Sequence, residues 1–233
     1  MDQVPAFISV VFMVTTFITV GIFLFATRSA GSDSFAKRFL LFIVPFWLFL
    51  QFVVASSGFY LNTASLPPRL FVFGLAPALL LILGLFVFAR SSLITALPLT
   101  LLTIIHVIRI PVELTLASLA EARAVPEIMT FHGTNLDILS GITAPLAFYF
   151  AIKDRPVSRI VLIVWNLAAL ALVLNIVITA ILCIPSPIQK LAFDQPNVAV
   201  LNFPYAWLAT VIVPIVFFSH FASLYKLLIL RRA

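Results

Sequence analysis

A segment near the middle of the chain, His106-Val-Ile-Arg109-Ile-Pro111-Val-Glu113, places three ionisable side chains within a long apolar run. At about 100° per residue in an α-helix, His106, Arg109 and Glu113 fall within an arc of about 60°. Arg109 and Glu113 are four residues apart, so their side chains can pair directly. Because a charged stripe facing lipid would be costly, we predict that it faces the bundle interior or a hydrated cavity.

The chemistry of these residue types points to a site inside a helix. An arginine can hold an anionic group, a carboxylate can balance its charge, and a histidine can respond to protons. Pro111 removes a backbone hydrogen bond to the carbonyl of Val107, which predicts a kink beside the stripe. The alternative is a structural ion pair that locks this helix to its neighbours.

A second polar segment, from Met129 to Gly141, follows a loop and opens the next helix. Thr134 and Asp137 have the spacing of an N-terminal capping box, and we expect capping to be their main role. Asp137, Ser140 and Gly141, together with Ala144, form a small polar face that permits close approach of another helix.

The two polar segments are expected to meet at the outer side of the bundle. Glu113 lies near the same depth as Asp137. One outward-open pocket is therefore predicted, with candidate ligand-binding residues His106, Arg109, Glu113, His132, Asn135, Asp137 and Asn175.

Taken together, these motifs carry a resemblance. His106-x-x-Arg109-x-Pro111-Val-Glu113 and Met129-Thr-Phe-x-Gly-x-Asn135-x-Asp137-Ile-x-x-Gly141 are similar to an uncharacterised family of bacterial seven-helix integral membrane proteins. The match covers two short segments and departs from the family pattern at His132. The resemblance implies a bacterial origin and a membrane location, and it carries no known activity.

Other polar residues are sorted by their distance from the ends of the predicted helices, at about 1.5 Å per residue. Gln51, His220 and His106 come out at similar depths, so they could converge. Arg109 and Asn175 lie one layer further out. Single polar residues of this kind are more typical of hydrogen bonds between helices than of a binding site.

No cofactor is assigned from the sequence, and its identity stays unknown. His106 and His220 could supply two axial imidazoles to a haem. His132 lies too far outward to complete a three-histidine zinc site with them, so no metal site is predicted. The single cysteine, Cys183, excludes an intramolecular disulfide.

The composition explains why these residues must lie in a membrane. The 233 residues are 63% hydrophobic and only 9% charged, with a mean hydropathy of +1.22, whereas soluble domains carry about 25% charged residues. At roughly 20 residues per span, this length accommodates about seven crossings and no separate soluble domain. Since open sheets cannot cross lipid, we predict an all-α, polytopic seven-helix bundle forming a single domain over residues 1–233.

Seven apolar runs are bounded by charges or proline clusters, and the first is expected to be a retained span rather than a signal peptide. The predicted helices are Pro5–Ala26, Phe39–Tyr60, Leu70–Ala89, Ser92–Ala120, Asn135–Ile152, Val157–Ile184 and Phe203–Leu230.

Basic residues indicate the orientation. The connections after helices 1, 3 and 5 and the carboxyl terminus hold ten of them: Arg28, Lys37, Arg38, Arg90, Lys153, Arg155, Arg159, Lys226, Arg231 and Arg232. The other connections hold three: Arg69, Arg123 and Lys190. The positive-inside bias predicts an outer amino terminus and a cytoplasmic carboxyl terminus. The net charge of +6 therefore points to anionic lipids as partners rather than to nucleic acid.

These features favour a multi-pass protein of the bacterial cytoplasmic membrane that binds or transports a small anionic molecule or lipid. Arg109 would engage the anionic group, with Glu113 and Asp137 balancing its charge. Two alternatives stay open. One is an intramembrane enzyme acting on a lipid or isoprenoid, with His106 or Glu113 as general base and Ser140 as the nearest candidate nucleophile. The other is a structural subunit with a buried ion-pair network.

Overall fold

A computed structural model of the chain describes residues 4–31, 33–153 and 156–229, and these residues form helices and connections with no β-strand. The seven main helices are α1 (Ala6–Arg28), α2 (Phe35–Ser56), α3 (Phe71–Phe88), α4 (Leu99–Glu121), α5 (Ile138–Ile152), α6 (Pro156–Cys183) and α7 (Leu208–Ile229). The predicted all-α class and the seven helices are confirmed. Predictions for Arg155, Leu230, Arg231 and Arg232 fall outside the described residues.

Six of the seven helices are long and apolar enough to cross a membrane, and the exception is α5. Its 15 residues extend about 22 Å, short of the roughly 30 Å of a bilayer core. The irregular segment that precedes α5 carries Asn135 and Asp137 into the protein interior, where both are buried. Non-helical backbone at membrane depth requires such burial in protein.

The outer surface of the bundle is apolar. Large hydrophobic side chains are exposed on every main helix, including Phe17 on α1, Phe49 on α2 and Val164 on α6. A soluble monomer rarely exposes apolar surface on this scale. The surface and the six long apolar helices together are those of a multi-pass membrane protein.

Helices α4 and α7 form the centre of the bundle and are the most buried of the long helices. α7 packs against α1, α3, α4 and α6, and α4 packs against α1 and α5. The polar residues of these two helices therefore meet inside the protein rather than at its surface.

Three of the helices depart locally from α geometry. α4 tightens into a 3₁₀ turn at Ile105–Ile108, just before Pro111, which cannot donate to the carbonyl of Val107. The distortion predicted beside Pro111 thus occurs as a change of winding. α3 and α7 each begin with a π-helical turn, at Phe71–Leu75 and Leu208–Ile212.

The two π turns lie against each other at Gly74. A Cβ atom added there would lie 2.6 Å from the Cγ2 atom of Thr210. Only glycine allows α3 and α7 to approach this closely.

Candidate functional site

The centre of the site is an ion pair between α4 and the start of α5. Arg109 Nη1 donates to Asp137 Oδ1 at 2.9 Å and also to the carbonyl of Ala169 on α6 at 3.1 Å. Arg109 and Asp137 are 2% and 5% exposed. The Arg109–Asp137 pair is the only salt bridge within the described ranges. The direct Arg109–Glu113 pair expected from their spacing does not form, because the guanidinium extends towards α5, α6 and α7.

His220 on α7 continues the network in a defined tautomer. Arg109 Nη2 lies 2.9 Å from His220 Nε2, and His220 Nδ1 lies 2.9 Å from Asn166 Oδ1. A guanidinium can only donate, so Nε2 must accept. Asn166 uses its amide nitrogen to donate to the carbonyl of Leu162, so its oxygen accepts from Nδ1–H. His220 is therefore neutral and protonated on Nδ1.

Glu113 lies in a separate arm of the network, bound to Asn135. Asn135 Nδ2 donates to Glu113 Oε2 at 2.6 Å and to the carbonyl of Met129 at 3.0 Å. Asn135 Oδ1 accepts from the backbone N–H of Asp137 at 3.0 Å. Glu113 is 1% exposed, and no cationic side chain of the described residues forms a salt bridge with it. It is a buried carboxyl group whose side-chain partner among the described residues is an amide rather than a cation.

The predicted capping box at the start of α5 is wrong. Asp137 occupies the N-cap position, but its side chain makes no capping hydrogen bond. Thr134 is exposed and donates to the carbonyl of Ile128 instead. The carboxylate of Asp137 instead accepts a hydrogen bond from Arg109. A buried guanidinium without a counter-ion would be strongly destabilising.

A glycine brings these two elements together. A Cβ added to Gly141 would lie 2.8 Å from Ile110 Cγ1 and 3.3 Å from Arg109 Cβ. The adjoining face of α5, with Ser140 and Ala144, is also buried. The close approach predicted for this small face is present, and it places Asp137 beside Arg109.

His106 stacks against His220 with ring centroids 4.0 Å apart and an interplanar angle of 23°. The edge of Trp165 packs at 5.4 Å from its ring. Neither ring nitrogen of His106 has a hydrogen-bond partner among the described residues, and the side chain is fully buried. The two histidines meet as predicted, but stacked rings leave no space for a porphyrin between them, so they do not fit the bis-histidine haem hypothesis.

An internal cavity of about 90 Å³ lies beside the ion pair. Its walls are almost entirely apolar and come from α1, α3, α4, α6 and α7. Arg109, Glu113 and Asp137 are its ionisable wall residues. This volume accommodates on the order of six water-sized groups. The chain thus forms an apolar chamber with a charged patch in its wall.

Three of the polar residues considered from the sequence lie elsewhere. His132 and Asn175 are exposed and line no part of this cavity. Asn175 instead donates to the carbonyl of Thr134. Gln51 does not join the histidines: it donates to the carbonyl of Phe73 and accepts from the hydroxyl of Tyr60.

Asn197 is a site residue that sequence reasoning missed. It lines the cavity from the connection between α6 and α7, is 1% exposed, and its Oδ1 has no partner among the described residues. Its neighbours Gln195-Pro196 indicate only a turn. The sequence therefore contained no signal that this residue is buried.

The geometry offers little for nucleophilic catalysis. Ser140, the candidate nucleophile, has a buried Oγ atom without a hydrogen-bond partner in the described part of the chain. An activated serine requires an adjacent base. Within the same residues, no group of three or more His, Cys, Asp or Glu side chains is arranged to hold a metal ion.

The chain matches no protein-family model, no curated protein and no solved structure. The function is therefore inferred from the geometry of the site.

Proposed function

We propose that this integral membrane protein binds or transports a small amphipathic molecule, held in the cavity beside Arg109, Glu113 and Asp137. The observation that carries the proposal is the presence of these three charged or acidic side chains in the wall of a chamber that is otherwise mostly apolar. Intramembrane ionisable residues are expensive and commonly mark ligand or ion pathways. An apolar pocket with a few polar groups is also the usual form of a small-molecule site.

The charge balance indicates the head group of this molecule. Asp137 already compensates Arg109, whereas Glu113 has only the Asn135 amide. An added anion would meet two carboxyl groups and one guanidinium that Asp137 already compensates, and like charges at short range are destabilising in a low-dielectric interior. An ammonium or hydroxyl head group that donates to Glu113 fits better than the anion expected from the sequence.

The cavity walls also support access from the outer side. Four residues of the chamber wall belong to the two longest connections of the chain: Val125, Met129, Asn197 and Val200. The charge distribution favours an outer location for these connections. The bacterial cytoplasmic membrane, suggested by the resemblance and by this charge bias, is part of the proposal.

Matched six-carbon probes test the proposal. Hexylamine, hexanol and hexanoate would be titrated into the protein in nanodiscs, with binding followed by thermal shift. We expect saturable stabilisation by hexylamine or hexanol, weaker stabilisation by hexanoate, and loss of the amine preference in Glu113→Gln. The control is Glu121→Gln, which removes an exposed carboxylate at the end of the same helix.

Two results would overturn parts of the proposal. Preferential binding of hexanoate, lost in Arg109→Gln, would restore an anionic ligand. If no probe stabilises the wild type more than Glu113→Gln, there is no ligand site at Glu113.

The second candidate function is a structural polar network. It is favoured by the closed chain of hydrogen bonds from Asp137 through Arg109 and His220 to Asn166. In that case, neutralising Glu113 would change thermal stability without changing probe binding.

A further inference from the structure

A second apolar concavity lies between α2 and α3, on the side of the bundle that exposes apolar residues. The two helices make few contacts with each other, although α2 packs on α1 and α3 packs on α7. The space between them is a cavity of about 350 Å³. Its walls include Ile43 and Trp47 from α2 and Ala78 from α3, and Pro214 and Phe218 of α7 form its floor.

This space continues towards the end of α3. A neighbouring cavity of about 600 Å³ shares Phe39, Leu81 and Leu85 with the first. It reaches Ser34 at the start of α2 and Ser92 after the end of α3. The two cavities form one groove that runs along the helices from mid-bundle to the end where these hydroxyl groups lie. We call it the α2–α3 groove.

Basic residues lie close in sequence to the polar end of the groove. Four basic residues lie within a few positions of it along the chain: Arg28, Lys37, Arg38 and Arg90. The described residues of the same turns include one acid, Asp33. Lys37 Nζ donates to the carbonyl of Ala30 at 2.9 Å, so its ammonium is held over the turn between α1 and α2.

We propose that the α2–α3 groove binds an anionic phospholipid of the cytoplasmic leaflet. One acyl chain would occupy the apolar groove, and the phosphate would lie among the basic residues and hydroxyls at its polar end. An apolar groove whose polar end lies close in sequence to four basic residues complements this chemistry, since basic residues near the surface favour anionic lipids by about five-fold each. The inference does not depend on the ligand proposed for the Glu113 cavity.

Gly84 makes the groove testable. It lines the part of the groove near Phe88, and a Cβ added to it would meet no atom within 4 Å. Gly84→Leu therefore fills the groove without displacing backbone. Gly21 on α1 also has nothing within 4 Å, is exposed, and lies outside the groove. Gly21→Leu is the matched control.

The experiment counts retained lipids by native mass spectrometry after release from nanodiscs of equal phosphatidylglycerol and phosphatidylcholine. We expect the wild type and Gly21→Leu to retain phosphatidylglycerol at least five-fold over phosphatidylcholine, and Gly84→Leu to lose it. Arg90→Gln should reduce the preference several-fold, whereas Lys190→Gln, at an exposed lysine on the other side, should not.

Equal phosphatidylglycerol retention in Gly84→Leu and Gly21→Leu would show that the lipid binds elsewhere. Equal retention of the two lipids by the wild type would show ordinary acyl contact without head-group recognition. Either result overturns the inference, and Arg90→Gln provides an independent test should Gly84→Leu fail to fold.

Discussion

Arg109 distributes its charge among acceptors on three elements: the carboxylate of Asp137, the carbonyl of Ala169 and the imidazole of His220. Such a buried ion pair contributes little compared with well-packed apolar residues, but removal of one partner leaves an uncompensated charge. The hydrogen bonds of Arg109 therefore link α4 to the start of α5, to α6 and to α7.

Asp137→Asn is expected to destabilise the protein by about 3–5 kcal/mol, which lowers the unfolding temperature on the order of 10 °C for a chain of this size. Cys183 reports unfolding, because this lone thiol is buried and reacts with a thiol-specific dye only when exposed. The control is Asp194→Asn, at an exposed carboxylate. Equal unfolding temperatures for both variants would contradict a buried charge pair.

The tautomer of His220 is a second prediction at this scale. Nitrogen-15 NMR of histidine-labelled protein at neutral pH should show one imidazole protonated on Nδ1, absent from His220→Gln. In Asn166→Leu the acceptor for Nδ1–H is lost, so we expect the free energy of unfolding to fall by about 1–3 kcal/mol. A signal protonated on Nε2 would mean that Arg109 does not donate to this ring.

At the residue scale, helical periodicity was informative about Arg109 and Glu113 but not about their partners. The period places both side chains on one face of α4. Which carboxylate reaches the guanidinium depends on the distance between α4 and α5, and that distance is set by Gly141. Asn175 was predicted at the depth of Arg109 and His132 further outward, but depth along an axis does not specify the direction in which a side chain points.

At the element scale, close helix packing at Gly141 positions the ion pair. Gly141→Ala would place a methyl group 2.8 Å from Ile110 Cγ1 and 3.0 Å from its backbone nitrogen. We expect overpacking to lower the free energy of unfolding by about 1–3 kcal/mol, as measured by the Cys183 reaction. Gly84→Ala is the control, because its Cβ meets open space and helix propensity should then make it neutral or stabilising by up to about 1 kcal/mol. Equal effects at both glycines would show that the α4–α5 contact is not tight.

The connection between α2 and α3 carries a prediction about pH. Burial raises the pKa of Tyr60 to about 12, although its hydrogen bond to Gln51 opposes the shift. The folded state therefore retains this proton where the unfolded state has lost it. Stability contributed by neutral Tyr60 is complete below about pH 10 and is lost as the pH rises towards 12. Between pH 9 and 11.5, the unfolding temperature of wild type should fall more steeply than that of Tyr60→Phe, and parallel curves would contradict this.

The presence of the helices followed from the sequence more directly than their local departures from α geometry. Runs of about 20 apolar residues can only be helices in lipid, so seven elements were predictable. The 3₁₀ turn before Pro111 had a local cause. The π turns of α3 and α7 had none, because they depend on the contact between Gly74 and Thr210, which are 136 positions apart in the chain.

At the scale of the whole molecule, the two central helices hold most of the polar site and the peripheral helices expose most of the apolar surface. α4 supplies His106, Arg109 and Glu113, and α7 supplies His220. The order in which the other helices pack around α4 and α7 could not be predicted. Hydropathy distinguishes membrane-spanning segments from aqueous ones, but it does not distinguish one apolar helix from another as a neighbour. The long connections on one side cover the cavity, so orientation decides from which compartment a ligand would enter.

The orientation is tested by labelling single cysteines in a Cys183→Ser background. His132 and Ser91 are both exposed in connections, predicted to be outer and cytoplasmic respectively by the excess of basic residues on the Ser91 side. An impermeant maleimide should label His132→Cys in intact cells and Ser91→Cys only after lysis. The reverse pattern would place the cavity connections in the cytoplasm. The anionic lipid proposed for the α2–α3 groove would then have to come from the outer leaflet, and a cytoplasmic source would be excluded for it.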